Sequence, residues 1–391
     1  MRDTVGVRQA NLARLVQLVH RQGPLSRAAL TEATGLNRST IADLVADLVT
    51  HGLVVERAPD PVGRVGRPSP VVAADPRVMA LAINPEIDAV TIAAVGLDRT
   101  IAARSRIEVT DPPTPEETAD LVAAELARWR RTDLPAARFV AAGVAVPGLV
   151  RAEDAVVREA PHLHWIDAAL GPLLRTATGI DTVVANDASA GVLAEHLFGA
   201  AHGIDDVVYL NGGASGIGGG LIVHGIPVTG AGGYAGEFGQ NRPGIASPDD
   251  RRADGGVLED EVSRARLLAA VGLSGADEPT LAAALAGGDA AAHDEVARQR
   301  RILATALANV VNVLNPRVIV LGGFLATLAA VGVEELADAV RAQAMPANGE
   351  DLSIRLAALG EDRLLIGAAE VAFAELLRDP VSAAAPSSPA G

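Results

Sequence analysis

The sequence predicts an α/β fold that follows an N-terminal helix-turn-helix. After residue 75, short apolar segments alternate with Ala-rich segments of helical length, which is typical of a largely parallel sheet covered by helices. Before residue 75, apolar residues recur at helical spacing and Gly residues separate the segments. The charge also changes there, because residues 1–70 carry a net charge of +3 and residues 71–391 one of −18. A basic head on an acidic body indicates that only the head contacts a polyanion.

Composition excludes several classes of protein. The chain has 391 residues, which is enough for two or three compact units, and its 49% hydrophobic content excludes a disordered chain. Cys is absent, which excludes disulfides, thiol catalysis and thiolate zinc sites. There is no apolar run of about 18 residues and no apolar signal segment at the N-terminus. We therefore expect a cytoplasmic protein that does not contact a membrane.

The first 50 residues are predicted to form three helices. The first ends at Gly23, the second is capped by Ser26 and ends at Gly35, and the third is capped by Asn37. Val and Leu segments on either side of a Gly-Arg-Pro turn then predict a β-hairpin. This order is typical of a winged helix-turn-helix, and the alternative is a small helical dimerisation module.

The third helix is the predicted recognition helix, because its first turn is polar and suits the major groove of DNA. Asp43, on the same helix, either accepts from a cytosine amino group or orients Arg38. Two Arg residues of the wing, Arg64 and Arg67, are expected to reach phosphates or a narrow minor groove. The partner is double-stranded operator DNA, with an inverted repeat that matches two linked heads. The residues of the first turn are Asn37, Arg38, Ser39 and Thr40.

The body contains seven predicted strands, and ligand sites are expected at their ends. The Pro-rich segment 379–391 is predicted to be disordered. The strands are predicted at residues 78–83, 89–97, 139–146, 182–187, 207–213, 216–223 and 317–323.

Five motifs occur in an order that resembles the ROK family of repressors, open reading frames and sugar kinases. The chain is most similar to the repressor branch, from about residue 10 to about residue 377. The motifs are the helix-turn-helix with its wing (25–70), GVAVPGLV (143–150), ANDASAGVLAEHLFGAA (185–201), the Gly-rich segment that ends in GEFGQ (213–240) and GGVLEDEVS (255–263).

The resemblance implies a two-lobed, actin-like sugar-kinase fold of the ribonuclease-H type. We expect the DNA-binding domain at residues 1–72, the first lobe at 73–198, and the second lobe with a C-terminal helix returning to the first lobe at 199–378. It also implies a regulator of carbohydrate-related genes, with repression as its expected action. A homodimer or higher homo-oligomer is implied as well, with a sugar or sugar-phosphate effector.

By resemblance, five polar residues bind the effector. Carboxylates accept hydrogen bonds, and amides both accept and donate them, which suits the hydroxyls of a sugar. Asp187 falls on the catalytic base of the kinases, although we expect no catalysis here. The alternative for this segment is an Asx turn or a helix N-cap. The five residues are Asn186, Asp187, Glu237, Gln240 and Glu259.

The phosphate loop of the kinases is altered. Their Asp-x-Gly-x-Thr motif falls on Asn84, Glu86 and Asp88. Glu86 brings a charge that repels phosphate, Pro85 removes a backbone donor, and the neighbouring sequence supplies no Arg or Lys. We therefore expect that ATP binding is lost and that the protein uses no cofactor.

The zinc site of the kinases is also altered, because its His is Gln240 and its last Cys is Val257. Gln is a poor zinc ligand, and we expect no metal. We expect the acidic segment with Asp249, Asp250 and Asp254 to be a solvated loop. The alternative is that these three carboxylates hold a hard cation. Two other functions remain open: an active sugar kinase with a DNA-binding head, and a DNA-bound regulator without a ligand.

Overall fold

The computed structural model describes residues 2–58 and 70–384. The chain divides into two compact units. Unit 1 contains the described residues of Met1–Val144, Ala169–Val184 and Ala368–Gly391, and unit 2 contains Ala145–Ala168 and Ala185–Gly367. This division differs from the expected boundaries, since the head shares a unit with the following sheet and residues 185–198 belong to unit 2.

The described residues form helices and strands in this order. The strands are β1 (Leu25–Ser26), β2 (Val54–Arg57), β3 (Val71–Ala74), β4 (Val78–Pro85), β5 (Ala89–Gly96), β6 (Ile101–Glu108), β7 (Arg138–Val146), β8 (Leu149–Val150), β9 (Val157–Ala160), β10 (Trp165–Ala168), β11 (Thr182–Asn186), β12 (Val207–Gly213), β13 (Gly216–Val223), β14 (Ile226–Pro227), β15 (Val318–Gly323) and β16 (Ser353–Leu356). The helices are α1 (Arg2–Gln22), α2 (Arg27–Thr34), α3 (Arg38–Thr50), α4 (Pro115–Arg131), α5 (Leu170–Thr178), α6 (Asp187–Phe198), α7 (Leu258–Glu261), α8 (Arg264–Ala270), α9 (Glu278–Ala286), α10 (Ala290–Leu314), α11 (Phe324–Ala330), α12 (Val333–Arg341), α13 (Pro346–Gly349), α14 (Arg363–Arg378) and α15 (Pro380–Ala384). None of these helices is both long and apolar enough to cross a bilayer.

The head has the three predicted helices and the predicted hairpin. The Ser26 side chain accepts from the Ala29 N–H and caps α2, and Gly35 ends α2 with a φ of 74°, a conformation that favours Gly. Strands β2 and β3 pair antiparallel, and the wing turn at residues 59–69 lies outside the described residues. The apolar core of the head contains Leu12, Leu15, Val16, Leu30, Ile41, Leu44, Val45 and Leu48.

Contacts of α1 join the head to the rest of unit 1. His20 is fully buried, with Nδ1 2.6 Å from the Leu97 carbonyl oxygen and Nε2 3.0 Å from both carboxylate oxygens of Glu370 on α14. Because a carbonyl oxygen only accepts, Nδ1 carries a proton, and a second proton lies between Nε2 and the Glu370 carboxylate. Phe373 packs edge-on against the His20 ring at 5.8 Å. The buried pair therefore joins the first helix of the chain to α14.

The C-terminal segment differs from its prediction. Residues 380–384 form α15, so the prediction of disorder from residue 379 is wrong for these residues, and residues 385–391 lie outside the described part. Pro380 stands at the first helical position, and the Asp379 carboxylate accepts from the Ser382 N–H. Asp379 also accepts from the Gln9 side chain. Capping and the contact with α1 thus order a segment of disorder-like composition.

The two large sheets are mixed, so the prediction of largely parallel sheets is wrong. One sheet has the order β11-β7-β4-β5-β6, and the other has the order β14-β13-β12-β15-β16. In the first, β4 pairs antiparallel with β5, and β5 antiparallel with β6. The connections between these strands are short, and a short connection joins only antiparallel neighbours. In the second, β12 pairs antiparallel with β13 but parallel with β15.

Unit 2 is built around the second sheet. Helices α10, α11 and α12 pack on one of its faces through a continuous apolar cluster that includes Leu210, Ile319, Leu321, Leu307 and Leu336. Helix α6 covers the other face through a smaller cluster around Val192 and Tyr209. This packing fixes the ends of β12 and β13 and the start of α6, where the polar residues discussed below lie.

Candidate functional site

The start of α3 is exposed, as a recognition helix requires. The Asn37 side-chain oxygen accepts from the Thr40 N–H at 2.8 Å and from the Ser39 hydroxyl at 2.7 Å. Asn37 is therefore committed to capping the helix, whereas Arg38 and Asp43 are exposed. In the described part of the chain no ion pair joins Arg38 to Asp43. Arg38 is thus the long cationic side chain available at this turn.

The other polar residues considered for the head are Asp47 on α3 and two Arg residues of the wing. Asp47, which follows Asp43 by one turn, pairs with Arg8 at 3.0 Å and therefore holds α3 against α1. Arg64 and Arg67 lie outside the described residues, so their role stays a prediction.

A cavity of about 350 Å³ in unit 2 brings all five predicted effector residues together. These residues come from three parts of unit 2. Asn186 and Asp187 lie where β11 meets α6, Glu237 and Gln240 lie at a short helical turn after β14, and Glu259 lies on α7. Sequence reasoning left other lining residues without a role in binding. They include Pro147, Gly148, Glu159, His162, Asn211 and Ser215.

Asp187 lies at the first position of α6. Burial raises the pKa of its carboxyl to about 6, although the Ala188 N–H, the Arg363 charge and a hydrogen bond with Asn211 act in the opposite direction. Its Oδ1 accepts from the Ala188 N–H at 2.8 Å. A carboxyl group with this pKa is ionised at pH 7 and accepts a hydrogen bond from a ligand hydroxyl.

Asn186 has one of the two roles that the sequence left open, the cap of α6, and its role in effector binding stays a prediction. Its side-chain oxygen accepts from the Ser189 N–H at 3.0 Å and caps α6, and its amide group donates to the Gly148 carbonyl at 3.0 Å. Asn186 also lines the cavity. The N-cap interpretation is therefore correct for Asn186, whose main effect is to fix the start of α6 beside Asp187.

Glu259 and Gln240 form a pair at the other side of the cavity. The Gln240 amide donates to Glu259 Oε1 at 2.6 Å, and the Ile217 N–H donates to Glu259 Oε2 at 3.1 Å. A Cβ atom on Gly216 or Gly239 would overlap Glu259 Oε2, so glycine at both positions lets the carboxylate approach the backbone. Burial and the nearby charges of Asp187 and Glu259 raise the pKa of Glu237.

Asn211 was not predicted, although it lines the cavity and is only 3% exposed. Its side-chain oxygen accepts from the Tyr209 hydroxyl and from Arg363 Nε, both at 3.2 Å. Because the oxygen has these two donors, the amide group is the side that faces Asp187. Arg363 comes from α14, 152 residues away, and no local sequence signal announces it.

The charge of the cavity is negative. Four carboxylates line it, and among its lining residues there is neither Arg nor Lys. Carboxylates accept hydrogen bonds from sugar hydroxyls and repel phosphate. This lining suits an uncharged polyol.

The residues at the family's zinc positions do not fit the metal. The Gln240 amide group donates to Glu259, and the Asp250 carboxylate is bound by Arg301 at 2.7 Å. Within residues 2–58 and 70–384, no group of His, Asp and Glu residues is arranged to hold a metal ion. The hard-cation alternative would require Asp250 to give up its ion pair.

The segment at the altered phosphate loop forms the turn between β4 and β5. The expectation that no basic residue is near is wrong, because Arg106 of β6 pairs with Glu86 at 3.4 Å and with Asp88 at 2.8 Å. The loss of backbone donors remains: Pro85 has no N–H, and the Glu86 N–H donates to the Ala89 carbonyl. A glycine loop with free N–H groups is therefore not formed here.

A sequence profile of the ROK family matches residues 81–375. The chain belongs to the ROK family. The xylose repressor of Bacillus spizizenii is 24% identical over 382 residues, which cover 96% of this chain and 98% of that protein. The Mlc transcriptional repressor of Escherichia coli is 24% identical and covers 93% of each chain. The Bacillus subtilis xylose repressor is 27% identical over 239 residues, 61% of each chain.

Solved structures place the ROK domain in the same fold. A ROK family transcriptional regulator, a homologue of the Escherichia coli Mlc protein, superposes with a TM-score of 0.75 at 25% identity and covers 96% of this chain and 98% of its own. A ROK family glucokinase from Streptomyces griseus, in complex with glucose and AMPPNP, has a TM-score of 0.61 at 23% identity and covers 76% of this chain and 99% of its own. The chain is thus a transcriptional repressor of the ROK family with a kinase-like domain.

Proposed function

We propose that this ROK repressor binds operator DNA through α3 and senses a sugar in the cavity of unit 2 without transferring phosphate. The observation that carries the proposal is the convergence of Asn186, Asp187, Glu237, Gln240 and Glu259 on one cavity. An exposed, capped first turn of α3 in the same chain supports the DNA-binding half. The regulated genes are expected to serve carbohydrate use.

Two features support the loss of phosphoryl transfer. The turn at Glu86 offers no glycine loop for phosphates, and its N–H closes the turn itself. Arg106 is already paired with Glu86 and Asp88. Asp187 remains where a base would stand, but it then serves only as an acceptor for a sugar hydroxyl.

The effector class follows from the cavity and from the relatives. Two of the relatives are named xylose repressors, and a structural neighbour was solved with glucose. D-Xylose and D-glucose are therefore the first probes, and each is tested beside its phosphate ester.

Two assays test this function. A thermal-shift screen should show stabilisation by a sugar, since a ligand at about 100 times its dissociation constant adds roughly 2.7 kcal/mol to the free energy of unfolding. A sugar-dependent ATPase assay should show no turnover. ATP hydrolysis that requires the sugar would identify an active kinase, and the absence of any shift would favour a DNA-bound regulator without a ligand.

A further inference from the structure

Arg298 and Glu261 form a buried ion pair, and neither residue lines the effector cavity. Arg298 lies on α10 and is 2% exposed, and Glu261 is the last residue of α7 and is fully buried. The five N–H groups of Arg298 all have acceptors: two carboxylate oxygens of Glu295, one of Glu261, and the carbonyls of Asp250 and Glu261, at 2.7–3.0 Å. A guanidinium group satisfied at every donor fixes its partners in position.

Contacts of Glu261 and of Gln299 hold the loop that precedes α7 and attach α7 to α10. The Glu261 carboxylate accepts from the N–H groups of Arg252 and Ala253 at 3.0 Å, which holds the loop that precedes α7. Gln299, next to Arg298, exchanges hydrogen bonds with the backbone of Ser263 just after α7. The short helix α7 is therefore fastened to α10 at its C-terminal end.

Glu259 stands on the same short helix, two residues before Glu261. Its carboxylate faces the cavity, where it accepts from Gln240 and from the Ile217 N–H. The Glu259 carboxylate packs tightly against Gly216 and Gly239, because a Cβ atom at either position would overlap the carboxylate. A small displacement of α7 would therefore change the place of a carboxylate that the sugar must contact.

We propose that Arg298 and Glu261 are positioning residues of the effector site, which set the place of Glu259 and Gln240 through α7 without touching the ligand. The inference rests on the proposed function for its sugar readout. In this proposal the Arg298–Glu261 ion pair orders the side of the cavity formed by Glu259 and Gln240. Effector binding therefore needs no metal ion.

The test compares two Arg residues of one helix. Arg298→Met removes the charge and all five donors but keeps an unbranched side chain about as long as the stem of Arg. Arg298→Lys keeps the charge but lacks the five N–H donors of the guanidinium group. The matched control is Arg300→Met, because Arg300 on α10 donates to the carbonyls of Leu328, Ala329 and Gly332, away from the cavity. A merely structural role would make Arg298→Met and Arg300→Met behave alike.

Two measurements are made on each full-length variant. In calorimetric titrations with D-xylose and D-glucose, we expect Arg298→Met to bind about tenfold more weakly than the wild type, Arg298→Lys to lie in between, and Arg300→Met to stay within about twofold. In hydrogen exchange of the apo protein, the Ile217 amide should exchange about tenfold faster in Arg298→Met and at the wild-type rate in Arg300→Met.

The outcomes separate this inference from the function on which it rests. Equal affinities and equal Ile217 exchange in Arg298→Met and Arg300→Met would overturn the positioning role. Faster exchange only in Arg298→Met, with no sugar bound by the wild type, would support the positioning role and overturn the proposed effector function. Removal of metal ions with EDTA should leave the wild-type affinity unchanged, and a lost affinity would contradict the metal-free ordering.

Discussion

At the scale of single residues, Arg38 carries the clearest expectation for DNA recognition. It is exposed in the first turn of α3, whereas Asn37 and Ser39 are engaged in the cap. Arg38→Ala should weaken operator binding by about 1–3 kcal/mol and relax the base preference. Gel-shift titrations on operator variants measure both quantities, with exposed Arg131 of α4 replaced by Ala as the control. Wild-type affinity and preference in Arg38→Ala would contradict a base-reading role.

We expect the buried carboxylate of Asp187 to lower the stability of the protein at pH 7 while it favours binding of the sugar. The pKa of Asp187 is raised from 3.8 to about 6 by burial, so the folded protein binds this proton more tightly than the unfolded chain. The free energy of unfolding therefore falls as pH rises from about 4 to about 6, and the ionised carboxylate costs stability at pH 7.

Asp187→Asn removes this cost and should stabilise the protein at pH 7 by about 2–3 kcal/mol, with no gain near pH 4. Urea denaturation at the two pH values measures the difference, and Asp294→Asn at an exposed position of α10 is the control. A gain of the same size at both pH values would show that the effect is not linked to this proton.

At the scale of elements, the pair of His20 and Glu370 holds α1 against α14. His20→Leu leaves a buried carboxylate without its partner and should lower the free energy of unfolding by about 3–5 kcal/mol. The double variant His20→Leu/Glu370→Leu replaces the pair by apolar groups and should recover most of this loss. A denaturation cycle over the four proteins gives the coupling, and additive losses would mean that the two side chains do not act as a pair.

Elements also show what the sequence alone can predict. The caps at Ser26 and Asn37 were predictable because a cap depends on residues three positions apart. The antiparallel pairing of β4 with β5 could also have been predicted, because only a short connection separates the two predicted strands. The pairs Arg298–Glu261 and His20–Glu370 join residues 37 and 350 positions apart, and only the fold brings them together.

The five candidate effector residues were named through resemblance. The structure brings them to one cavity, and their role in binding stays a prediction. Composition could not have selected them, since the chain has 48 acidic residues. Asn211 and Arg363 were missed because their importance lies in orienting Asp187, which depends on hydrogen bonds between distant elements.

At the scale of the whole molecule, one head offers little surface to DNA, and two linked heads gain affinity by binding both half-sites. We therefore expect a homodimer or a larger homo-oligomer on an inverted repeat. Light scattering should give at least twice the chain mass of 39.8 kDa. A mass of one chain that does not change with protein concentration would contradict this expectation.

The salt dependence of DNA binding should reflect the head alone, because the remainder of the chain carries a net charge of −18. Arg67→Ala should weaken binding to all sequences alike and reduce the slope of affinity against salt by about one unit. Binding isotherms at several salt concentrations measure the slope. A loss confined to one base sequence would instead assign Arg67 to base recognition.

The central claim is that the cavity of unit 2 is the sensor of a DNA-binding protein. It is tested most directly by titrating operator binding with the sugar that stabilises the wild type, for wild type and Asp187→Asn side by side. The exchange of a carboxylate for an amide of similar size removes a charged hydrogen bond of about 1.5–3 kcal/mol, so the midpoint for the sugar should rise by tens-fold or more while operator affinity without sugar stays the same. Identical midpoints in the two titrations would show that this cavity is not the sensor.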